Sequence, residues 1–138
     1  PEGFRSTRPA AGNRPVRVYL PTDYQPKYAY PLVVAFHADG GCDADAARLV
    51  PQLSRRNYIV LCPRGPVNLG LRPDGRPAFG WGGATADRAA KAALAHVASR
   101  YSVHPGRVFL LGVGEGAAPA YRLALDLGDR VAGVVSLN

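Results

Sequence analysis

Residues 107–138 read RVFLLGVGEGAAPAYRLALDLGDRVAGVVSLN, and the order of apolar and small residues in this stretch decides the fold. Val108 to Gly112 is a short unbroken apolar run, the pattern of a strand buried on both faces. Gly114 and Gly116 then punctuate a sharp bend. Ala117 to Leu127 reads as a helix, and Pro119 falls in its first turn, where a missing N–H costs nothing. Val131 to Leu137 is apolar again and reads as a second strand. Strand, helix and strand in this order predict parallel pairing through a right-handed crossover.

The same alternation extends upstream. Thr85 to Tyr101 is an alanine-rich helix that Thr85 can cap, with Ala89, Ala92, Ala93 and Val97 expected on its apolar face. Val103 to Arg107 reads as a turn, and Arg64 to Gly83 as a long Gly/Pro loop carrying the only tryptophan, Trp81. Packing that loop against the domain is the preferred role for Trp81 and Phe79. Tyr58 to Cys62 and Pro31 to Phe36 are further buried strands. Between them Asp43 or Asp45 can cap a helix running to about Arg56, with Ala46, Leu49, Val50 and Leu53 on one face and Pro51 weakening it. Arg14 to Leu20 alternates as an edge or half-buried strand with Val16, Val18 and Leu20 on one side. Residues 1–13 mix Pro, Gly, Arg and Asn without period and read as a loose leader, which leaves 14–138 as one partial domain. The fold class expected is α/β, a mainly parallel sheet with flanking helices.

Gly112-Val113-Gly114-Glu115-Gly116, set between a buried strand and a helix of small residues, resembles the G-x-S-x-G elbow of the α/β-hydrolase family, in its carboxylesterase and phospholipase-like esterase branch. The upstream stretch PLVVAFHADGG, residues 31–41, is similar to that family's strand and His-Gly oxyanion loop. The resemblance covers roughly residues 14 to 138 and implies the N-terminal part of the hydrolase fold, with the last strands missing. It also implies an ester hydrolase by descent. The position matching the nucleophile is Gly114, which has no side chain to attack a carbonyl, and Gly112 and Gly116 match the flanking glycines. The oxyanion-loop remnants are His37, Ala38 and Asp39, together with Glu115 after the elbow. Ala38 stands where the family has glycine, and Asp39 and Glu115 bring two carboxylates to a place built for negative charge. The family's acid and histidine follow its nucleophile, whereas this chain has no histidine beyond His104.

The expectation is therefore a degenerate, catalytically inactive hydrolase-like domain with a binding or structural role. The alternative is a carboxylic-ester hydrolase whose activity needs residues outside this chain. Of the three histidines, His37 is expected to bond within its loop, His96 to face solvent and His104 to pack in a turn. Ser136 reads as a strand end, and Cys42 has no histidine placed to activate it.

Composition narrows the partners. An apolar share of 47% is that of a globular chain, and no run approaches the ~18 residues of a membrane helix. The net charge of +7 comes almost wholly from arginines scattered along the chain, among them Arg48, Arg55, Arg56, Arg88, Arg100 and Arg122. They lack aromatic interleaving or a recognition motif, so neither nucleic acid nor membrane is expected as a partner. No cofactor is expected: a dinucleotide loop would need an acid about twenty residues on, where Ser136 stands. Cys42 and Cys62 form no metal spacing; Cys62 is expected buried, and a disulfide between them stays open. The chain has no methionine, so a cut N-terminus is expected. The last strand would be an apolar edge, covered either by chain beyond Asn138 or by a partner.

Overall fold

The computed structural model describes residues 4–7, 16–49 and 57–137. The strands are β1 (Phe4–Thr7), β2 (Val16–Tyr19), β3 (Tyr30–Phe36), β4 (Ile59–Cys62), β5 (Val67–Leu71), β6 (Pro77–Gly80), β7 (Val103–Val113) and β8 (Val131–Leu137). The helices are α1 (Asp43–Ala47), α2 (Gly83–Arg100) and α3 (Ala117–Leu127). Six strands form one sheet in the order β1-β2-β4-β3-β7-β8. β1 and β2 join antiparallel, and β4, β3, β7 and β8 run parallel. The fold class expected from the apolar runs is the one observed.

The parallel strands are apolar throughout because both of their faces are covered. Leu32, Val34 and Phe36 of β3, Ile59 and Leu61 of β4 and Val108 and Leu110 of β7 pack with α2 and α3 on one face. Val33, Ala35, Val60 and Leu111 point the other way, toward Ala46 and Ala47 of α1. Val16 and Val18 share the larger core and Leu20 packs against it, as the alternation in β2 predicts.

Several boundaries differ from the sequence reading. Residues 1–13 are not loose throughout, since Phe4–Thr7 pairs antiparallel with Val16–Tyr19. The stretch 103–107 is a bulged beginning of β7 rather than a turn: Val103 pairs with Tyr30, and the register then slips before Val108 meets Leu32. The long loop holds an antiparallel hairpin, β5–β6, turning through Pro73, Asp74 and Gly75. α2 begins at Gly83 with Gly82 at its N-cap, not at Thr85. Its buried stripe is Ala86, Ala90, Ala93, Leu94 and Val97, which rotates the expected face by one residue at Ala89 and Ala92. Pro51, Val50, Leu53 and the expected helix end at Arg56 lie outside the described residues.

Candidate functional site

α1 leaves β3 toward one face of the sheet, and α3 leaves β7 toward the other. Where neighbouring parallel strands send their helices to opposite faces, a crevice opens beyond their C-terminal ends, the usual ligand position in such sheets. Here that crevice lies between residues 37–42 and residues 113–117.

The turn after β7 is tight because three glycines allow it. A Cβ on Gly112 would fall 2.4 Å from the Cα of Ala117, so the start of α3 folds back onto the strand end. A Cβ on Gly116 would fall 2.4 Å from the carbonyl oxygen of His37 and 2.6 Å from that of Phe36. Between them Gly114 has φ +55°, a left-handed conformation that L side chains enter at a cost. A Cβ there would sit 3.4 Å from the Cβ of Ala38, in ordinary contact. The elbow and the end of β3 therefore meet through Gly116 and the carbonyls of Phe36 and His37, while Asp39 and Glu115, on the flanking residues, are exposed.

His37 is only 1% exposed and bonds within its surroundings, as expected. The Gly65 N–H donates to Nε2 at 2.9 Å, so Nε2 is the acceptor and the proton sits on Nδ1, 2.8 Å from the Ala38 carbonyl. Burial pushes the imidazole below its ordinary range, against the Ala38 carbonyl and the charges of Asp43, Asp45 and Asp39, which pull it up. His37 is thus a neutral tie between two loops. His96 is half-buried on α2 rather than open to solvent, and His104 lies in β7, accepting from the Gly106 N–H at 3.1 Å. Ser136 sits in β8 opposite Gly112, as a strand residue.

The β5–β6 hairpin closes over this loop. The indole Nε1–H of Trp81 donates to the His37 carbonyl at 2.7 Å, and the Trp81 backbone N–H to Asp39 Oδ1 at 3.2 Å. Gly40 N–H donates to the Phe79 carbonyl and Phe79 N–H to that of Gly41, at 2.9 and 2.8 Å. Trp81 and Phe79 are buried, in the packing role expected of them.

Charge pairs fix α1 beneath the loop. Its N-cap is Cys42, not Asp43 or Asp45; Asp45 closes the capping box by accepting from the Cys42 N–H at 3.0 Å. Asp43 is buried and accepts from Arg17 Nε at 2.7 Å and Arg64 Nε at 2.9 Å. Arg72 and Arg76 of the hairpin reach Asp45. Burial raises the Asp45 carboxyl, but the hydrogen bonds from Arg72 and the Cys42 N–H and the charges of Arg72 and Arg48 outweigh it, leaving it below its ordinary value. The sequence reading missed these pairs and the hairpin. The run Pro73-Asp74-Gly75 between apolar residues was the available turn signal. Cys42 and Cys62 are both buried free thiols, so the disulfide left open is not formed.

No family profile matches the chain, and no curated protein matches its sequence. Solved structures do. An acetyl xylan esterase from Aspergillus awamori superposes with a TM-score of 0.70 at 16% identity, over 95% of this chain and 50% of its own. An S-formylglutathione hydrolase from Agrobacterium tumefaciens gives 0.67 at 14% identity, over 96% and 56%. A thermophilic carboxylesterase cloned from a metagenomic library gives 0.63 at 24% identity, over 98% and 46%. The chain thus spans about half the length of each. At these identities the likeness speaks for architecture: the chain has part of the α/β-hydrolase fold.

Proposed function

We propose that this chain is a catalytically inactive α/β-hydrolase-like module that binds or supports rather than hydrolyses. The observation that carries this reading is Gly114, held at φ +55° at the tip of the strand-to-helix turn, where the resemblance calls for a nucleophile. A glycine there keeps the elbow without its chemistry. His37, the nearest histidine by sequence to the crevice, has Nε2 occupied by the Gly65 N–H and Nδ1 by the Ala38 carbonyl. Neither nitrogen is free to accept a proton from an attacking group. Asp39 and Glu115 add to the argument, because each unit charge near a developing oxyanion opposes it by on the order of a kcal/mol even in water.

Hydrolysis of a short-chain aryl ester by the purified protein tests the reading. The expected result is no turnover above buffer, since losing the nucleophile costs roughly six orders of magnitude in enzymes whose residues act as a unit. Fluorophosphonate labelling of residues 112–116 is expected to fail. Turnover abolished by a change in residues 37–42 would overturn the proposal. The neighbouring esterases favour a second reading, an ester hydrolase whose acid and histidine come from outside this chain. Gly114→Ser in this chain alone is expected to stay inactive under either reading, because a serine hydroxyl without a base is a poor nucleophile; family-like rates in that variant would show that a base does stand at the elbow.

A further inference from the structure

At the opposite end of the parallel strands lies a second cleft that the elbow does not use. It has a volume of about 450 Å³, within the range of small-molecule sites. Separate stretches of chain converge on it: Gln25 and Tyr28 from the connection before β3, Tyr30 at the first position of β3, Asn57 and Tyr58 just before β4, and Arg107 from β7. We propose that this cleft binds a sugar carrying a carboxylate.

The tyrosines form a fixed platform. Tyr30 stacks on Tyr24 with ring centroids 5.4 Å apart, and Tyr28 meets Tyr30 edge-on at 4.7 Å. The hydroxyl of Tyr30 accepts the Gln25 N–H at 2.9 Å, and that of Tyr24 accepts the Ser102 N–H at 2.8 Å. Tyr58 is braced edge-on by Phe109 at 6.3 Å. These contacts hold the rings in place before a ligand arrives, which lowers the ordering cost of binding. Tyr28 is nevertheless 59% exposed, so its ring is both anchored and offered to solvent. Such a ring matches the apolar C–H face of a pyranose.

The polar lining selects further. Gln25 and Asn57 are exposed primary amides, able to donate to and accept from sugar hydroxyls. Arg107 is exposed and is the one formally charged residue among the described lining. A guanidinium fork pairs with a carboxylate through two parallel hydrogen bonds. A neutral sugar would leave Arg107 unused, and a plain aromatic acid would leave the amides unused. A carboxylated sugar engages rings, amides and guanidinium together.

The experiment titrates the 138-residue protein with D-glucuronate, D-glucose and benzoate, followed by NMR and calorimetry. Glucuronate is expected to bind saturably at one site, with glucose ~10-fold weaker for want of the charge-assisted contact to Arg107 and benzoate ~10-fold weaker for want of the hydrogen bonds to Gln25 and Asn57. Tyr28→Ala and Arg107→Gln are each expected to weaken glucuronate by ~10-fold, and Arg107→Lys to restore only part because an ammonium lacks the planar fork. Tyr28→Phe keeps the ring and is expected to keep binding. Circular dichroism verifies that each variant is folded, and the exposed Arg107→Gln decides alone if Tyr28→Ala is not. Glucose binding as tightly as glucuronate would overturn the proposal. So would benzoate binding as tightly, no saturable binding, or glucuronate binding indifferent to Arg107→Gln.

Discussion

The elbow at 112–116 and the hairpin at 67–80 both border the crevice, yet opposite forces hold them. The elbow is held by absence of room: backbone meets backbone at Gly112 and Gly116, where an added carbon would overlap Ala117 or the carbonyls of Phe36 and His37. The hairpin is held by charge and hydrogen bonds, through Arg72 and Arg76 to Asp45 and through Trp81 to His37 and Asp39. It also leaves Val67, Leu69 and Leu71 exposed along β5. Close packing has no graded response to solvent, whereas ion pairs weaken with salt and acid. One border of the crevice is therefore fixed, and the other is tunable.

The sharpest way to break this contrast is Gly116→Ala. Its Cβ has no flexible neighbour to displace, so a loss on the order of 3 kcal/mol in denaturant unfolding is expected. A variant as stable as the parent would mean that the elbow is not packing-limited. Trp81→Phe keeps an aromatic ring but removes the pyrrole half of the buried indole and with it the donor to the buried His37 carbonyl. A loss of ~2 kcal/mol is expected from the unpaired acceptor and the gap together, read the same way. Gly114→Ala comes next. Left-handed strain of ~1–2 kcal/mol opposes an entropic gain of ~0.4–1 kcal/mol from the stiffer unfolded chain, for a net loss of ~1 kcal/mol. A neutral or stabilising result would show that the turn relaxes around a side chain.

The smallest effect belongs to the hairpin's ion pairs. The folded Asp45 carboxyl lies below its ordinary value, so its contribution is complete above that value and drains away as pH falls through the folded one. Asp45→Asn is expected to flatten that acid limb of a stability–pH curve, and added salt to shrink the difference between the two proteins. His37 adds a slope at milder acidity. Its folded form resists protonation, so stability is full above the ordinary imidazole range and falls as pH drops below it. His37→Gln removes that second limb while leaving the Asp45 limb in place.

What was legible in the sequence follows the same division. Short apolar runs specify buried parallel strands, because few other environments accept Val33-Val34-Ala35-Phe36 or Ile59-Val60-Leu61. Gly112, Gly114 and Gly116 announce a sharp turn because steric need for glycine is local. The hairpin is masked because Gly65, Pro66, Gly70, Pro73, Gly75 and Pro77 punctuate its stretch as they would a loop, and its anchor Asp45 is 27 residues from Arg72. Long-range charge pairing leaves no periodic trace. The face of α2 differs by one position from the sequence expectation because nearly every candidate on it is alanine, and the buried Leu94 marks the stripe. The packing of Gly116 on the carbonyls of Phe36 and His37 is foreseeable only through the family resemblance, since it joins the elbow to a separate loop.

The buried thiol at the end of β4 gives the molecule a clock. Burial pushes Cys62 up to about 12, with Asp43 adding to the rise and Arg17 opposing it. A folded chain at neutral pH therefore offers almost no thiolate for an alkylating reagent to capture. Once the sheet comes apart, the same sulfur regains an ordinary reactivity. The rate at which an alkylating probe marks Cys62 then measures how often β4 is exposed, and whether the rim of the crevice can open without the centre of the sheet following.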